Sequence, residues 1–176
     1  MMNYCKFCSQ LPLDNIHRKY HDNHYGFPVT NDFELFGRLI LEINQAGLSW
    51  ETILKKEANF RKAFDEYNYF RIAKYDFDKI NLLVNDSGII RHRQKIESIV
   101  YNANQLTLIK QTHGSFNEWL NSQDVKSLED WVKIFKKNFK FVGKEIVNEF
   151  LMSIGILNGA HQKDCPIQLK INLLIT

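Results

Sequence analysis

The soft metal ligands of this chain gather at its two ends. CKFC supplies Cys5 and Cys8 near the start, and YHDNHYG supplies His21 and His24 shortly after. HQKDCP puts His161 and Cys165 four positions apart near the other end. Zinc takes mixtures of thiolate and imidazole in a tetrahedron, and a structural site closes with four protein ligands. Cys5 or Cys8, together with His21, His161 and Cys165, makes such a set. The long gap between the halves fits no standard finger, so scattered polar or core residues stand as the competing reading. Three cysteines allow at most one disulfide and leave one thiol over. That argues against a disulfide framework and for a reducing compartment.

A second group of residues carries different chemistry. In LEINQAGLSW, residues 41–50, Glu42 falls on the side of Leu39 and Ile43 rather than on a charged face. A buried carboxylate is costly unless paired or protonated, and such groups occur both at functional sites and in structural hydrogen bonds. Trp50, with Phe7, Tyr20 and Tyr25, offers aromatic faces for a flat ring; core packing is the bland alternative. Gly47 and Leu48, at the turn that follows, form a candidate wedge that fills the gap when a nucleotide leaves a duplex. A buried Leu after a helix stop is the plain alternative. Downstream, NDSGIIRHRQK makes a tight turn into a helix start. Unpaired backbone N–H groups and the positive end of a helix dipole suit a phosphate there. Arg91, Arg93 and Lys95 follow at once. Together they read as a clamp on a nucleic-acid backbone that reads no sequence, against the alternative of an ordinary helix corner with a basic surface.

Helices must hold these residues. Phe33, Phe36, Leu39, Ile40 and Ile43 recur at helical spacing over 32–46, with Thr30 or Asn31 as cap, Glu34 three residues after Asn31, and Gly47 as stop. Residues 49–65 read as a second helix, and 69–75 and 76–86 as two short ones. Ile96, Ile99, Val100, Ala103 and Leu106 mark a helix after the hairpin. Further helix is expected over 115–137 and 144–154. No sustained alternation precedes the tail, so the class is all-α. The tail IQLKINLLIT fits a short strand, a docking segment or an altered terminus.

With 176 residues, 44% hydrophobic and 13% aromatic, the chain suffices for a single domain, 1–176, with residues 167–176 an atypical tail. A net charge of +3 permits an anionic partner without demanding one. The Lys133, Lys136, Lys137 and Lys140 grouping reads as a solvated helix face. The N-terminus lacks a signal pattern, and no apolar run approaches the roughly 18 residues of a spanning helix. A soluble cytoplasmic protein with no membrane association is expected.

YHDN, LEINQAGLSW, GIIRHRQKI, FKFVG and HQKDCP occur in this order between about residues 5 and 166. Together they resemble the 3-methyladenine DNA glycosylase I family, a branch of the helix-hairpin-helix glycosylases with a zinc site joining its termini. The resemblance implies one structural zinc ion on Cys5, His21, His161 and Cys165, with no metal-activated water. Cys8, which restores the family's usual interval to His21, is the runner-up; Cys5 is preferred because Phe7 then falls in the aromatic position. The pocket carboxylate falls on Glu42, the catalytic candidate. Phe7, Tyr20, Tyr25 and Trp50 fall at substrate-binding positions, the wedge on Gly47 and Leu48, and the DNA-binding hairpin on residues 87–93. The implied activity is a monofunctional DNA glycosylase acting as a monomer on double-stranded alkylated DNA. It would release free 3-methyladenine, with no lyase step because no pocket position is Lys. Related helix-hairpin-helix glycosylases place a catalytic Asp after the hairpin, and no Asp stands between Asp86 and Asp124, as the 3-methyladenine branch implies.

The chain also departs from the family. Phe7 and Tyr25 stand where Trp is usual and Asn44 where Gln is usual. The stretch between His113 and Phe139 is shorter. Two rival readings follow. One is a zinc-stabilised DNA-binding protein of this fold, weak or inactive in catalysis. The other is a metallohydrolase with Asp22, His24 or Asp164 joining the ligands.

Overall fold

The computed structural model describes residues 3–125 and 127–175, and among these the regular structure is entirely helical. Eleven α-helices follow in chain order: α1 Tyr4–Ser9, α2 Ile16–Asn23, α3 Asp32–Gln45, α4 Trp50–Ala63, α5 Tyr69–Ile72, α6 Phe77–Asn85, α7 Arg93–His113, α8 Phe116–Asn121, α9 Leu128–Asn138, α10 Lys144–Ser153 and α11 Pro166–Ile175. A 3-10 turn, Asp65–Tyr67, lies between α4 and α5. Short polar residues mark the starts. Asn31, Ser49, Asp76, Ser115 and Ser127 each accept a hydrogen bond from a backbone N–H of the first turn, relieving donors a helix leaves unpaired. His92 does this for α7 through Nδ1, taking the Lys95 N–H at 3.4 Å.

The chain divides into two compact units, one of residues 30–147 and one of the segments before and after it. In the middle unit, α3 turns Phe36, Leu39, Ile40 and Ile43 inward, all at 0% exposure. Full burial of such side chains contributes about 1.5–3 kcal/mol each. Helix α4 packs against α3. Glu34, expected in a capping box with Asn31, instead meets Arg61 of α4 through two bonds of 2.7 and 2.8 Å, a bidentate geometry that fixes orientation. Gly37 lets the Tyr67 ring lie on α3; a Cβ there would come within 2.3 Å of it.

Helix α7 buries Ile96, Ile99, Ala103 and Leu106 and packs against α5 and α6. The 115–137 stretch is two helices rather than one run. Asp32 receives the first N–H groups of α8, those of Phe116 and Asn117, at 3.1 Å each. Trp119 then meets Phe135 and Phe139 edge to face, and those two rings lie tilted against each other.

In the unit of the two chain ends, α1 packs on α2, and Tyr4 Oη lies 3.1 Å from His17 Nδ1. The tail is a helix, α11, with Leu169, Leu173 and Leu174 exposed. The strand reading of residues 167–171 is therefore corrected. The apolar residues taken as alternation recur at helical spacing once Pro166 has opened a first turn.

Candidate functional site

Four ligand atoms converge in the unit of the chain ends. Helix α1 contributes Cys5, α2 contributes His21, and the segment leading into α11 contributes His161 and Cys165. Their Sγ and ring nitrogen atoms all lie within 4.8 Å of one another. His21 Nε2 and His161 Nδ1 are 3.1 Å apart, Cys5 Sγ lies 3.7 Å from His161 Nδ1, and Cys165 Sγ lies 3.8 Å from each ring nitrogen. A tetrahedral ion bonded at about 2.0–2.3 Å separates its ligand atoms by roughly 3.3–3.8 Å, so the set fits one.

The tautomers point the same way. The His161 Nε2–H donates to the Tyr25 carbonyl at 2.7 Å, which leaves Nδ1 with a lone pair. The His21 Nδ1–H donates to Asp22 Oδ1 at 2.6 Å, which leaves Nε2 with a lone pair. Two lone pairs thus face each other at 3.1 Å. Burial pushes the His161 pKa down, which disfavours a bridging proton and leaves a cation as the suitable occupant. Carbonyl and carboxylate partners of this kind are what orient metal-binding imidazoles. Arg18 Nε holds Asp22 in turn at 2.5 Å.

Burial also raises the Cys5 thiol pKa, an effect eased by the Gln162 N–H on its sulfur. A bound cation would reverse it. Cys8 is outside the cluster. Its thiol faces the His17 carbonyl at 3.7 Å, and burial pushes its pKa up to about 11. Between the two candidates, the geometry selects Cys5. Asp22, a ligand in the metallohydrolase reading, is engaged by His21 and Arg18.

Aromatic side chains extend from this cluster. Tyr20 and Tyr25 have centroids 5.6 Å apart. Tyr4 meets Tyr25 edge-on and lies along Phe7, and Phe7 meets the edge of His17. Tyr25 also donates to Glu149 Oε2 at 3.2 Å. The same segment therefore carries the metal ligands and three of the expected substrate-binding residues.

The other expected residues lie in the middle unit. Glu42 is 5% exposed, on the last full turn of α3. Asn44 is buried and donates to the Ile40 carbonyl at 2.8 Å. The helix stops at Gly47, whose φ of +82° is left-handed backbone that glycine adopts without a Cβ penalty. Leu48 follows at 38% exposure. Gln45 and Leu48 exchange two hydrogen bonds, N–H to O at 2.7 Å and Nε2 to O at 3.0 Å. Leu48 is therefore not the buried helix-stop residue of the plain alternative. It is a surface apolar side chain on a braced turn. Ser49 then caps α4, which opens with half-buried Trp50.

The hairpin is supported from α4. Lys56 Nζ donates to the Ser87 carbonyl at 2.8 Å and Asn59 Nδ2 to the Gly88 carbonyl at 3.3 Å. Asp86 Oδ1 accepts the Gly88 N–H at 2.7 Å. Ile89 is buried and Ile90 half-buried, so they anchor the turn, while Arg91 is exposed. Arg93 reaches back to Asn81 at 2.5 Å and to Glu97 at 3.4 Å.

Lys95 does not join the basic surface. It is 4% exposed, and its Nζ donates to the Asn44 carbonyl at 2.8 Å and the Ala46 carbonyl at 2.7 Å. Burial lowers its pKa. An ammonium on the last carbonyls of a helix complements the dipole, so Lys95 fastens α7, which follows the hairpin, to the turn that carries Leu48. Sequence reasoning grouped it with Arg91 and Arg93 by charge. The missed signal was position: Lys95, Ile99, Asn102 and Leu106 form a single buried stripe along α7.

A model of the family described as methyladenine glycosylase matches residues 9–134. DNA-3-methyladenine glycosylase 1 of Escherichia coli strain K12 is 35% identical over 176 residues, covering 89% of this chain and 92% of that protein. DNA-3-methyladenine glycosylase of Haemophilus influenzae is 31% identical, covering 90% and 96%. Among solved structures, 3-methyladenine DNA glycosylase I from Staphylococcus aureus superposes with a TM-score of 0.82 at 33% identity, covering 94% of this chain and 96% of that one. A tyrosine-to-phenylalanine variant of a 3-methyladenine DNA glycosylase I, in complex with 3-methyladenine, gives 0.82 at 32% identity, covering 94% and 97%.

Proposed function

The chain belongs to the methyladenine glycosylase family, and from that premise we propose that it excises 3-methyladenine from alkylated double-stranded DNA in base excision repair. It is an enzyme of the DNA-3-methyladenine glycosylase type, built on the helix-hairpin-helix glycosylase fold. The observation that carries the reading is Glu42: a carboxylate 5% exposed, on a helix that ends in a left-handed glycine and an exposed leucine.

Methylation at N3 gives the base a positive charge and weakens its bond to the sugar. Once the nucleotide is flipped out, Leu48 at the Gly47 turn fills the gap it leaves. Phe7, Tyr20, Tyr25 and Trp50 supply the aromatic faces on which a cationic ring stacks. Glu42 accepts a hydrogen bond from the base edge, and its charge favours the cationic base over adenine. The glycosidic C–N bond breaks with its electron pair passing to the base, which leaves neutral and needs little acid catalysis. Water then bonds to the sugar carbon and loses a proton, giving an abasic site and free 3-methyladenine. No lyase step follows, since none of these positions is an amine that could form a Schiff base. Ser87, Gly88, Ile89, Ile90, Arg91 and Arg93 form the hairpin that meets the phosphate backbone, which main-chain N–H groups at the start of α7 and the Arg91 charge would hold.

The metal is one zinc ion on Cys5, His21, His161 and Cys165. Two thiolates and two imidazoles suit zinc, and four protein ligands leave no open position. The zinc is therefore structural. It ties the chain's two ends, so that residues 1–176 work as a single glycosylase domain, a monomer in the reducing cytoplasm. No helix among the described residues is long and apolar enough to cross a membrane.

The test is incubation of the zinc-loaded protein with methylated duplex DNA. Free 3-methyladenine should appear while the strands stay intact until alkali treatment. Binding without base release would move the protein to the DNA-binding alternative, and strand cleavage coupled to release would contradict the monofunctional mechanism.

A further inference from the structure

Phe141 has no part in the chemistry above, and its conformation is unusual. It is one of few non-glycine residues with positive φ, at +59°, a region that bulky side chains seldom occupy and that clusters at functional positions. Its neighbours Phe139 and Val142 are buried at 3% and 5% exposure, whereas Phe141 is 36% exposed. The backbone is held there. Asn102, at 0% exposure, accepts the Lys140 N–H on Oδ1 at 2.8 Å and donates from Nδ2 to the Lys140 carbonyl at 3.0 Å. A fully buried amide is thus committed to clasping the residue before Phe141.

The ring stands among the DNA-facing elements. It meets His92, the cap of α7 after the hairpin, nearly edge-on at 6.2 Å. On another side the Lys95 ammonium lies 5.8 Å from its centroid, and that ammonium holds the carbonyls of Asn44 and Ala46 beneath the Gly47–Leu48 turn. An apolar ring here has no use for phosphates. The complementary DNA surface is a base face, and base faces become accessible where flipping interrupts the stack.

We propose that Phe141 is a second apolar DNA contact, stacking on the base left without a partner when the lesion is flipped. Leu48 fills the vacated position, and Phe141 holds the orphaned base beside it. The assignment rests on the glycosylase reading above. It also accounts for the strained backbone and the clasp, which neither exposure nor core packing at this position requires.

The experiment compares wild type with Phe141→Asn on two duplexes. One carries a tetrahydrofuran abasic analogue opposite thymine; the other carries the analogue opposite a second analogue, so that no orphaned base exists. Asn tolerates left-handed backbone, so the melting temperature should hold or rise. Phe141→Gly serves the same test if Asn fails to fold. The variant should bind the first duplex about tenfold more weakly, within the range of one lost aromatic stack, and the second within twofold of wild type. Equal losses on both duplexes would make Phe141 a structural support rather than a base contact, and no loss on either would remove it from the interface. Both results overturn the proposal while leaving the glycosylase reading intact. Wild type that neither releases 3-methyladenine nor binds the first duplex would overturn both.

Discussion

The middle unit buries Phe36, Leu39, Ile40, Phe60, Ile96 and Phe135 without residual exposure. The unit of the chain ends also has apolar residues, but its distinctive centre is two imidazoles and two thiols gathered from positions 5, 21, 161 and 165. In the first, stability is spread over many side chains, each contributing about 1.5–3 kcal/mol. In the second, the short helices α1 and α2 lack the length to persist alone, and the proposed zinc would supply what joins the four ligands. A helix core degrades gradually under substitution; a metal centre fails all at once.

The largest expected effect follows from that contrast. Structural zinc sites carry apparent binding energies on the order of 10 kcal/mol. Removing the metal with a chelator, or replacing Cys165 with Ser, should therefore melt α1, α2 and α11 while α3 and α7 persist. Hydrogen exchange read by mass spectrometry checks this segment by segment, and uniform loss of protection across both units would erase the distinction. Cys8→Ser, by contrast, should keep full metal content.

The sequence conveyed the middle unit better than the ends. Periodic apolar residues marked α3, α4, α6, α7 and α10 because burial of a helical stripe is what makes those helices stable. The ends offered ligand types without a period. Their helices hold only six and eight residues, too short to display an apolar period, so they passed unread even though Cys5, His21, His161 and Cys165 were legible as a set. Choosing Cys5 over Cys8 from residues alone needed the resemblance; in the structure it follows from which thiol turns toward His161. The 115–137 stretch read as helix because Leu128, Trp131, Val132 and Phe135 share helical spacing, but the point where it divides was not marked. Ser122, the C-cap of α8, and Ser127, the N-cap of α9, were the overlooked punctuation. Lys95 shows the opposite error, a charge read as surface when its position on the α7 stripe placed it inside.

Within the middle unit, Lys95→Met sharpens the comparison. It leaves the Asn44 and Ala46 carbonyls without their cation, and an unsatisfied buried polar group costs about 1–3 kcal/mol. A chemical-denaturation midpoint should fall accordingly with metal content unchanged, and binding to damaged duplex should weaken because the Leu48 turn loosens. Loss of metal on this substitution would mean that the two units are not independently held.

Gly47→Ala should have the smallest effect on folding, about 1 kcal/mol, from forcing a Cβ into left-handed backbone; nothing beyond its chain neighbours lies within 4 Å of the added carbon, so tertiary contacts add nothing. Calorimetry checks the shift. Base release should suffer more than stability does, since the turn aims the wedge.

The most direct test of the central claim is release of free 3-methyladenine from methylated duplex DNA by wild type and by Glu42→Gln, matched in zinc content and melting temperature. Glutamine keeps the shape and removes the charge, so release should fall about a hundredfold or more, in line with the loss of one preorganised electrostatic contact. A Glu42→Gln protein that releases the base as fast as wild type would contradict the assignment of Glu42 as the residue on which the chemistry turns.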